Sequence, residues 1–314
     1  MWGPPVEFKH LPVLCEESIA YLKIKPDGVY VDCTLGGAGH AKHIARHLTD
    51  GRLIGIDRDG DAIEAASEAL SGFKAQTTII RGNFSDIKDI LASVDIYAAD
   101  GFLLDLGVSS YQLDNADRGF SYMRNADLDM RMDNRGALTA FQVVNSYDEK
   151  QLAGIFFEYG EERYARRIAK TIINARSVKP INTTYELSDL IKSALPKISK
   201  EGGPHPAKRV FQAIRIEVNG ELGILNSALT DMVDLLNPGG RLCVISYHSL
   251  EDRIVKQCFR HWEAPCECPP KLPCVCGLKP LVRVVTKKPV TPDASETAGN
   301  HRARSAKLRA AEKI

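Results

Sequence analysis

The chain has 314 residues, of which 44% are hydrophobic, so it can bury one large core or two smaller ones. Its formal net charge of +1 excludes an overall basic field as the means of attracting nucleic acid. No apolar run approaches the roughly 18 residues of a membrane span, and the N-terminus lacks the pattern of a signal peptide. We therefore expect a cytoplasmic protein with reduced thiols and no membrane partner.

The first part of the chain alternates strands and helices, which predicts parallel strands joined by right-handed crossovers. After a lead-in helix near Glu16 to Lys23, the predicted strands are Val29–Asp32, Arg52–Asp57, Thr77–Arg81 and Gly101–Leu106. The helices predicted after the first three strands are His40–Leu48, Asp61–Leu70 and Ile87–Leu91. This order predicts an α/β fold.

The alternation stops after the fourth strand. Residues 109 to about 215 contain no predicted buried strand, and the helices expected there are Ala140–Val144, Glu149–Tyr159, Glu162–Ala175, Thr184–Ala194 and Pro206–Val218. The sheet pattern resumes with helix Leu222–Leu236, a turn at Asn237-Pro238-Gly239-Gly240, strand Arg241–Ser246, helix Leu250–Phe259, strand Leu281–Val285 and a basic tail. We predict one domain of residues 1–108 and 216–314, interrupted by a helical domain of residues 109–215.

A glycine-rich turn follows the first strand. Strand one ends at Asp32, the turn Gly36-Gly37-Ala38-Gly39 opens a helix, and strand two ends at Asp57. This order of elements builds the nucleoside-binding crevice of open α/β sheets, where a carboxylate such as Asp57 can accept both ribose hydroxyls.

Acidic residues at the strand ends discriminate between two cofactors. Asp32 would repel the pyrophosphate of a dinucleotide, which normally sits at this helix N-terminus. Together with Asp105 at the end of strand four, it suits the sulfonium and ammonium groups of S-adenosylmethionine. Each aspartate could instead be a surface carboxylate that caps a helix or turn. Phe84 follows strand three, where an adenine would lie. It could contact the adenine, or it could be a core side chain.

Longer motifs carry a family resemblance. They include Asp32-Cys-Thr-Leu-Gly-Gly-Ala-Gly-His40, Gly55-Ile-Asp-Arg-Asp59, Leu104-Asp-Leu-Gly-Val-Ser-Ser110, Glu158-Tyr-Gly-Glu-Glu-Arg163, Ser246-Tyr-His-Ser-Leu-Glu-Asp-Arg253 and Arg302-Ala-Arg-Ser-Ala-Lys-Leu-Arg309. From about His10 to the end, the chain resembles the bacterial 16S ribosomal RNA cytidine N4-methyltransferases, the small subunit methyltransferase H family. Tyr111 and His301 stand where that family usually has proline.

The resemblance implies a Rossmann-like sheet that binds S-adenosylmethionine, with an inserted helical domain that recognises the substrate. It implies methylation of a cytidine N4 in the decoding region of 16S rRNA, with the rRNA or the small ribosomal subunit as partner. The family's cofactor contacts carry over to Ala38, Gly39, His40, Asp57, Phe84, Asp105 and Gln112.

Residues beyond the cofactor contacts are hypotheses. We expect Asp105 nearest the transferred methyl group, with Ser246 and His248 lining the cytidine pocket. His248 could instead be a turn residue bonded to backbone. No residue is assigned as a catalytic base from the sequence.

Several clusters of cations are candidates for RNA contact, although such charges are usually a solvated face. They are Arg163, Arg166, Arg167 and Lys170; Lys208, Arg209 and Arg215; Arg124, Arg131 and Arg135; and the tail residues Arg302, Arg304, Lys307 and Arg309. The tail is the least balanced, because residues 279–314 hold nine basic residues against three acidic ones.

Four of the eight cysteines cluster as two Cys-x-Cys pairs, at Cys266, Cys268, Cys274 and Cys276. Four thiolates can bind a structural zinc ion, and the alternatives are disulfides or free thiols on a proline-rich loop.

Two other functions compete with methyl transfer. A nicotinamide-dependent dehydrogenase shares the sheet, and a non-catalytic RNA-binding protein would explain the basic tail.

Overall fold

The computed structural model describes residues 12–73, 76–196, 205–269 and 275–314. It divides into two compact units, one formed by Met1–Gly107 with Leu222–Ile314 and the other by Val108–Glu221. The helices described, in chain order, are α1 (Cys15–Leu22), α2 (Gly39–His47), α3 (Gly60–Leu70), α4 (Ile87–Ala92), α5 (Ser110–Asp114), α6 (Ala140–Ser146), α7 (Glu149–Glu158), α8 (Ala165–Arg176), α9 (Thr184–Ala194), α10 (Lys208–Asn219), α11 (Leu225–Leu235), α12 (Ser249–Glu263) and α13 (Ala294–Gly299).

The first unit is built on a seven-stranded sheet. Its strands are β1 (Val29–Asp32), β2 (Arg52–Asp57), β3 (Gln76–Arg81), β4 (Ala99–Asp105), β5 (Leu236–Ser246), β6 (Val282–Val284) and β7 (Lys307–Lys313). Their order across the sheet is β3-β2-β1-β4-β5-β7-β6. Strands β1 to β5 are parallel, and β7 runs antiparallel to β5 and β6. The predicted α/β fold is confirmed, and the carboxyl ends of β1, β2, β4 and β5 meet at one edge.

Both faces of this sheet are buried, because alternate residues of each central strand point to opposite sides. Val31, Ile54 and Phe102 belong to a core on one face, which also contains buried residues of α4, α11 and α12. Their neighbours Tyr30 and Leu53 belong to a second core, with residues of α1, α2 and α3. This two-sided burial explains the continuous apolar runs of the parallel strands.

The basic tail expected at the C-terminus is a strand. β7 pairs with β5 over six residues and separates it from β6. Leu308 and Ala310 are fully buried in the core, and the buried Arg309 donates from Nε to a carboxylate oxygen of Asp252 at 2.7 Å. For residues 307–313 the prediction of a tail was therefore wrong, because the charges of Lys307 and Arg309 hid a run of four buried residues, 308–311.

The turn predicted at residues 237–240 lies within β5. In the pairing of β4 with β5, Ala99 lies opposite Leu236 and Gly101 lies opposite Arg241. Between these pairs, β4 has one residue and β5 has four, residues 237–240. Gly239 has a φ of 78°, a left-handed conformation that glycine adopts without strain. The turn residues therefore form a bulge.

The second unit contains α5 to α10 around its own core. Hydrogen bonds to backbone carbonyls hold the segment between α5 and α6. The Arg118 guanidinium donates to the carbonyls of Arg131 and Met132, both at 3.0 Å, and the Asn219 amide donates to Met130 at 2.8 Å. None of the helices in the described residues has the length and apolarity needed to cross a membrane.

Candidate active site at the carboxyl edge of the sheet

The turn between β1 and α2 adopts an unusual backbone conformation. Gly36 and Ala38 have φ values of 49° and 62°. This left-handed region costs glycine little but disfavours alanine, so Ala38 is held in a strained conformation. A Cβ atom added at Gly37 would meet nothing within 4 Å, so the turn leaves open space on that side.

Asp57, at the end of β2, is tied to this turn. Its Oδ2 accepts a hydrogen bond from the Gly36 N–H at 2.8 Å, and its Oδ1 accepts one from the Asp59 N–H at 2.9 Å. Burial raises the pKa of Asp57, although these two donors act in the opposite direction. Each carboxylate oxygen has a second lone pair, so a ligand diol can still bind.

Asp32, at the end of β1, is the most buried acid of the edge, with 1% of its surface exposed. It accepts hydrogen bonds from the backbone N–H groups of Thr34 and Ala41. Burial, together with the negative charges of Asp105 and Asp57, raises its pKa from 3.8 to about 7. The charges of Asp105 and Asp57 therefore disfavour the ionisation of Asp32, and a positively charged ligand would relieve that repulsion.

Asp105, at the end of β4, is oriented by its neighbours. Its Oδ1 accepts a hydrogen bond from the Tyr247 hydroxyl at 2.7 Å, and its backbone N–H donates to Thr34 Oγ1 at 2.6 Å. Burial and the charge of Asp105 raise the pKa of Tyr247 well above its usual value, so the phenol remains a donor. Sequence reasoning selected Ser246 and His248 but missed Tyr247 between them.

His40, in the first turn of α2, is buried and neutral. Its Nε2 lies 3.0 Å from the Val13 carbonyl oxygen, which can only accept, so Nε2 carries the proton. Burial lowers the pKa of His40 to about 4. Its Nδ1 lies 3.9 Å from Asp105 Oδ2. His40 thus connects the lead-in segment to α2 and borders the acidic edge.

Phe84 and Gln112, two more of the predicted cofactor residues, also have local structural roles. Phe84 begins a 3₁₀ turn, Phe84–Asp86, and its half-buried ring packs against the core. Gln112 belongs to the second unit, where its buried side chain accepts from the Ser109 N–H at 3.0 Å and completes the N-terminal capping box of α5. The cofactor contacts assigned to Phe84 and Gln112 therefore stay predictions.

Residues 246–251 form the turn between β5 and α12. Ser246 is buried, with Oγ 3.5 Å from the Lys307 carbonyl oxygen. His248 caps α12, and its Nδ1 accepts from the Glu251 N–H at 3.4 Å, which agrees with the alternative of a turn residue bonded to backbone. Buried Glu251 accepts from the Tyr247 N–H at 2.9 Å, so this turn positions the phenol that contacts Asp105.

The candidate RNA-binding cations fall into two groups. Many are engaged within the protein: Lys307 and Arg309 with Asp252, Arg215 with Glu221, Arg131 with Asp129, and Arg135 with Asp133. Others are exposed: Arg163, Arg166, Arg167 and Lys170 at α8, Lys208 and Arg209 on α10, Arg124 before α6, and Arg302 and Arg304 before β7. Some of the exposed cations also have partners: Arg209 donates to the Glu161 carbonyl at 3.0 Å, and Arg124 donates to the Asp114 carbonyl.

The glycine turn, Asp57 at the end of β2 and the flanking carboxylates are typical of one class, the Rossmann-like methyltransferases that bind S-adenosylmethionine. Residues 7–314 match the model of the MraW methylase family, and the chain belongs to that family. Membership makes S-adenosylmethionine its cofactor and methyl transfer its reaction.

Curated relatives agree with this assignment. The chain is 53% identical to the ribosomal RNA small subunit methyltransferase H of Clostridioides difficile, over 98% of this chain and 100% of the relative. It is 54% identical to the ribosomal RNA small subunit methyltransferase H of Lachnospira eligens, over 98% of this chain and 99% of the relative. Among solved structures, a methyltransferase of Streptococcus mutans in complex with SAH matches with a TM-score of 0.45 and 11% identity, over 95% of this chain and 97% of that one. That superposition is too loose to add to the assignment.

Proposed function

We propose that this enzyme methylates the exocyclic N4 of a cytidine in the decoding region of 16S ribosomal RNA. The near full-length similarity to relatives named ribosomal RNA small subunit methyltransferase H supports the rRNA substrate. Because ribosomes assemble in the cytoplasm, we propose that the enzyme acts there.

The observation that carries the proposal is the set of carboxylates at the ends of β1, β2 and β4. The residues present fit S-adenosylmethionine. Asp57 keeps acceptor capacity for the ribose hydroxyls, and Gly37 leaves open space beside it. Buried Asp32 and half-buried Asp105 provide the negative environment that a sulfonium and an ammonium group need.

The remaining cofactor contacts are proposed on the same basis. Ala38, Gly39 and His40 form the start of α2 beside Asp57 and Asp105, and Phe84 follows the end of β3. We assign the methionine end of the cofactor to the α2 turn and the adenine end to Phe84. Gln112 is assigned to the cofactor through the family motif alone.

When bound, S-adenosylmethionine supplies an electrophilic methyl group on a positively charged sulfur. The cytidine N4 amine is a weak nucleophile because its lone pair is delocalised into the ring, so the protein's main task is to position it. Asp105 would accept a hydrogen bond from this amine and stabilise the positive charge that develops on nitrogen. The Tyr247 hydroxyl holds that carboxylate in place from the other side.

Substrate binding requires the target base to leave its stack before it can reach a cofactor at the sheet edge. We propose that the exposed cations of α8 contact RNA phosphates. Arg166 and Arg167 lie four and three residues before Lys170 on α8, which places these three on one helical face, and exposed Arg163 precedes the helix by two residues.

Two experiments test the proposal. Small ribosomal subunits from a strain without this activity are incubated with the enzyme and labelled S-adenosylmethionine, and the modified fragment is mapped. We expect N4-methylcytidine in the decoding region, and label confined to another region or nucleoside would contradict the proposal.

The second experiment measures RNA affinity against salt for Arg166→Ala and Lys170→Ala. Each should reduce the salt slope by about one unit, because each removes one phosphate contact. Lys150→Ala on α7 is the matched control and should leave the slope unchanged. Equal slopes for all three variants would contradict the assignment of α8.

A further inference from the structure

Three cysteines converge on the segment between α12 and β6. The Sγ atoms of Cys266, Cys268 and Cys276 all lie within 4.8 Å of one another. Cys266 and Cys276 are exposed, and Cys268 is half-buried. Cys274, the fourth cysteine of the sequence motif, lies outside the described residues.

The described residues of this segment form no hydrophobic core of their own. Its base is closed at the end of α12, where the Leu281 N–H donates to the Trp262 carbonyl at 2.8 Å and the Val284 N–H donates to Glu263 Oε1 at 2.8 Å. From residue 266 to 281, every described residue except Cys268 is exposed, including Val275 at 88%. Irregular loops of more than about 12–15 residues are uncommon in compact domains, so burial of apolar side chains does not explain how this one is held.

The backbone around the cysteines provides a donor to sulfur. The Val275 N–H donates to Cys268 Sγ at 3.5 Å, which links the two halves of the segment. The cluster thus combines three converging sulfur atoms, which are good ligands for zinc, with a backbone contact that holds Cys268 Sγ in place.

We propose that Cys266, Cys268 and Cys276 bind a structural zinc ion that fixes the loop between α12 and β6. Zinc prefers thiolate sulfur at about 2.3 Å in a tetrahedron, which places ligand atoms about 3.8 Å apart. The observed separations of up to 4.8 Å reach that arrangement with small side-chain movements. The ion holds the loop and takes no part in methyl transfer.

The first test is the metal content of the full-length protein, purified under reducing conditions and measured by plasma mass spectrometry. We expect about one zinc per chain, falling at least fivefold in Cys268→Ser. Cys15→Ser is the matched control and should retain the metal, because burial raises the pKa of that thiol to about 12 and keeps it protonated. Equal zinc in both variants would overturn the proposal.

A second measurement does not depend on variants. Co²⁺ added to the metal-free protein should produce thiolate charge-transfer bands and the ligand-field bands of tetrahedral coordination at one equivalent. Hydrogen exchange of residues 264–281 should slow when zinc is added. If the protein takes up no Co²⁺, or its intact mass shows the loss of two hydrogens in a disulfide, the proposal is wrong. Calorimetry with S-adenosylmethionine on the same samples separates this result from the proposed function, since removal of zinc should leave cofactor affinity within twofold.

Discussion

Asp32 makes a quantitative prediction about the stability of the cofactor-free protein. Its pKa of about 7 exceeds the ordinary value of 3.8 because of burial and the neighbouring charges of Asp105 and Asp57. The folded state therefore holds this proton more tightly than the unfolded state, so the contribution of Asp32 to stability decreases as pH rises from about 4 to 7. The full shift corresponds to about 4 kcal/mol, because one pKa unit is worth about 1.4 kcal/mol.

We choose Asp32→Asn, which removes the titration and keeps one oxygen acceptor for the Thr34 N–H group. Integrating the linkage relation between pH 5 and pH 8 gives roughly 2.5 kcal/mol. Urea unfolding of both proteins at both pH values measures it. The stability of the variant relative to wild type should rise by that amount from pH 5 to pH 8. A difference that stays constant within about 0.5 kcal/mol, the usual error of additivity, would refute the assigned environment of Asp32.

Three further predictions concern the site and the sheet. Asp57→Asn should weaken S-adenosylmethionine binding about 10- to 100-fold in calorimetry, because it removes the charge from bonds to the ribose; unchanged affinity would contradict the assignment. Tyr247→Phe should lower kcat about tenfold, the equivalent of one hydrogen bond to a charged group, with cofactor affinity unchanged; a normal kcat would show that Asp105 needs no such support. Arg309→Leu should cost about 3 kcal/mol in urea unfolding, because it leaves a partly buried carboxylate without its main partner, whereas exposed Arg304→Ala should change stability by less than about 0.5 kcal/mol.

The parallel strands were predictable because their physical causes are local. β1 and β2 are apolar runs that end in aspartate, and the structure gives both the predicted bounds, Val29–Asp32 and Arg52–Asp57. Helix α9 also has its predicted bounds, since Thr183 supplies a capping box with Glu186. α8 begins at Ala165 rather than Glu162, because the Glu162 carboxylate accepts from the Tyr164 N–H at 2.9 Å in the preceding turn.

The structure of β7 and the role of Tyr247 depend on partners that are distant in the sequence, and a single sequence does not reveal such partners. β7 looks like a basic tail until Asp252, 57 positions earlier, is seen to pair with Arg309. Truncation after Gly299 would therefore remove β7 from within the sheet, together with the exposed cations Arg302 and Arg304. Tyr247 could have been found from its place at the end of β5, where the carboxyl edge predicts ligand contacts.

The most direct test measures whether methyl transfer depends on Asp57 at the acidic edge of the sheet. Methyl transfer from labelled S-adenosylmethionine to unmethylated small subunits is measured for wild type, Asp57→Asn and the control Asp61→Asn, at cofactor concentrations below the wild-type Kd. We expect wild type and Asp61→Asn to form N4-methylcytidine at equal rates, and we expect the rate of Asp57→Asn to be at least tenfold lower. Equal rates for all three proteins, or a product other than N4-methylcytidine, would contradict it.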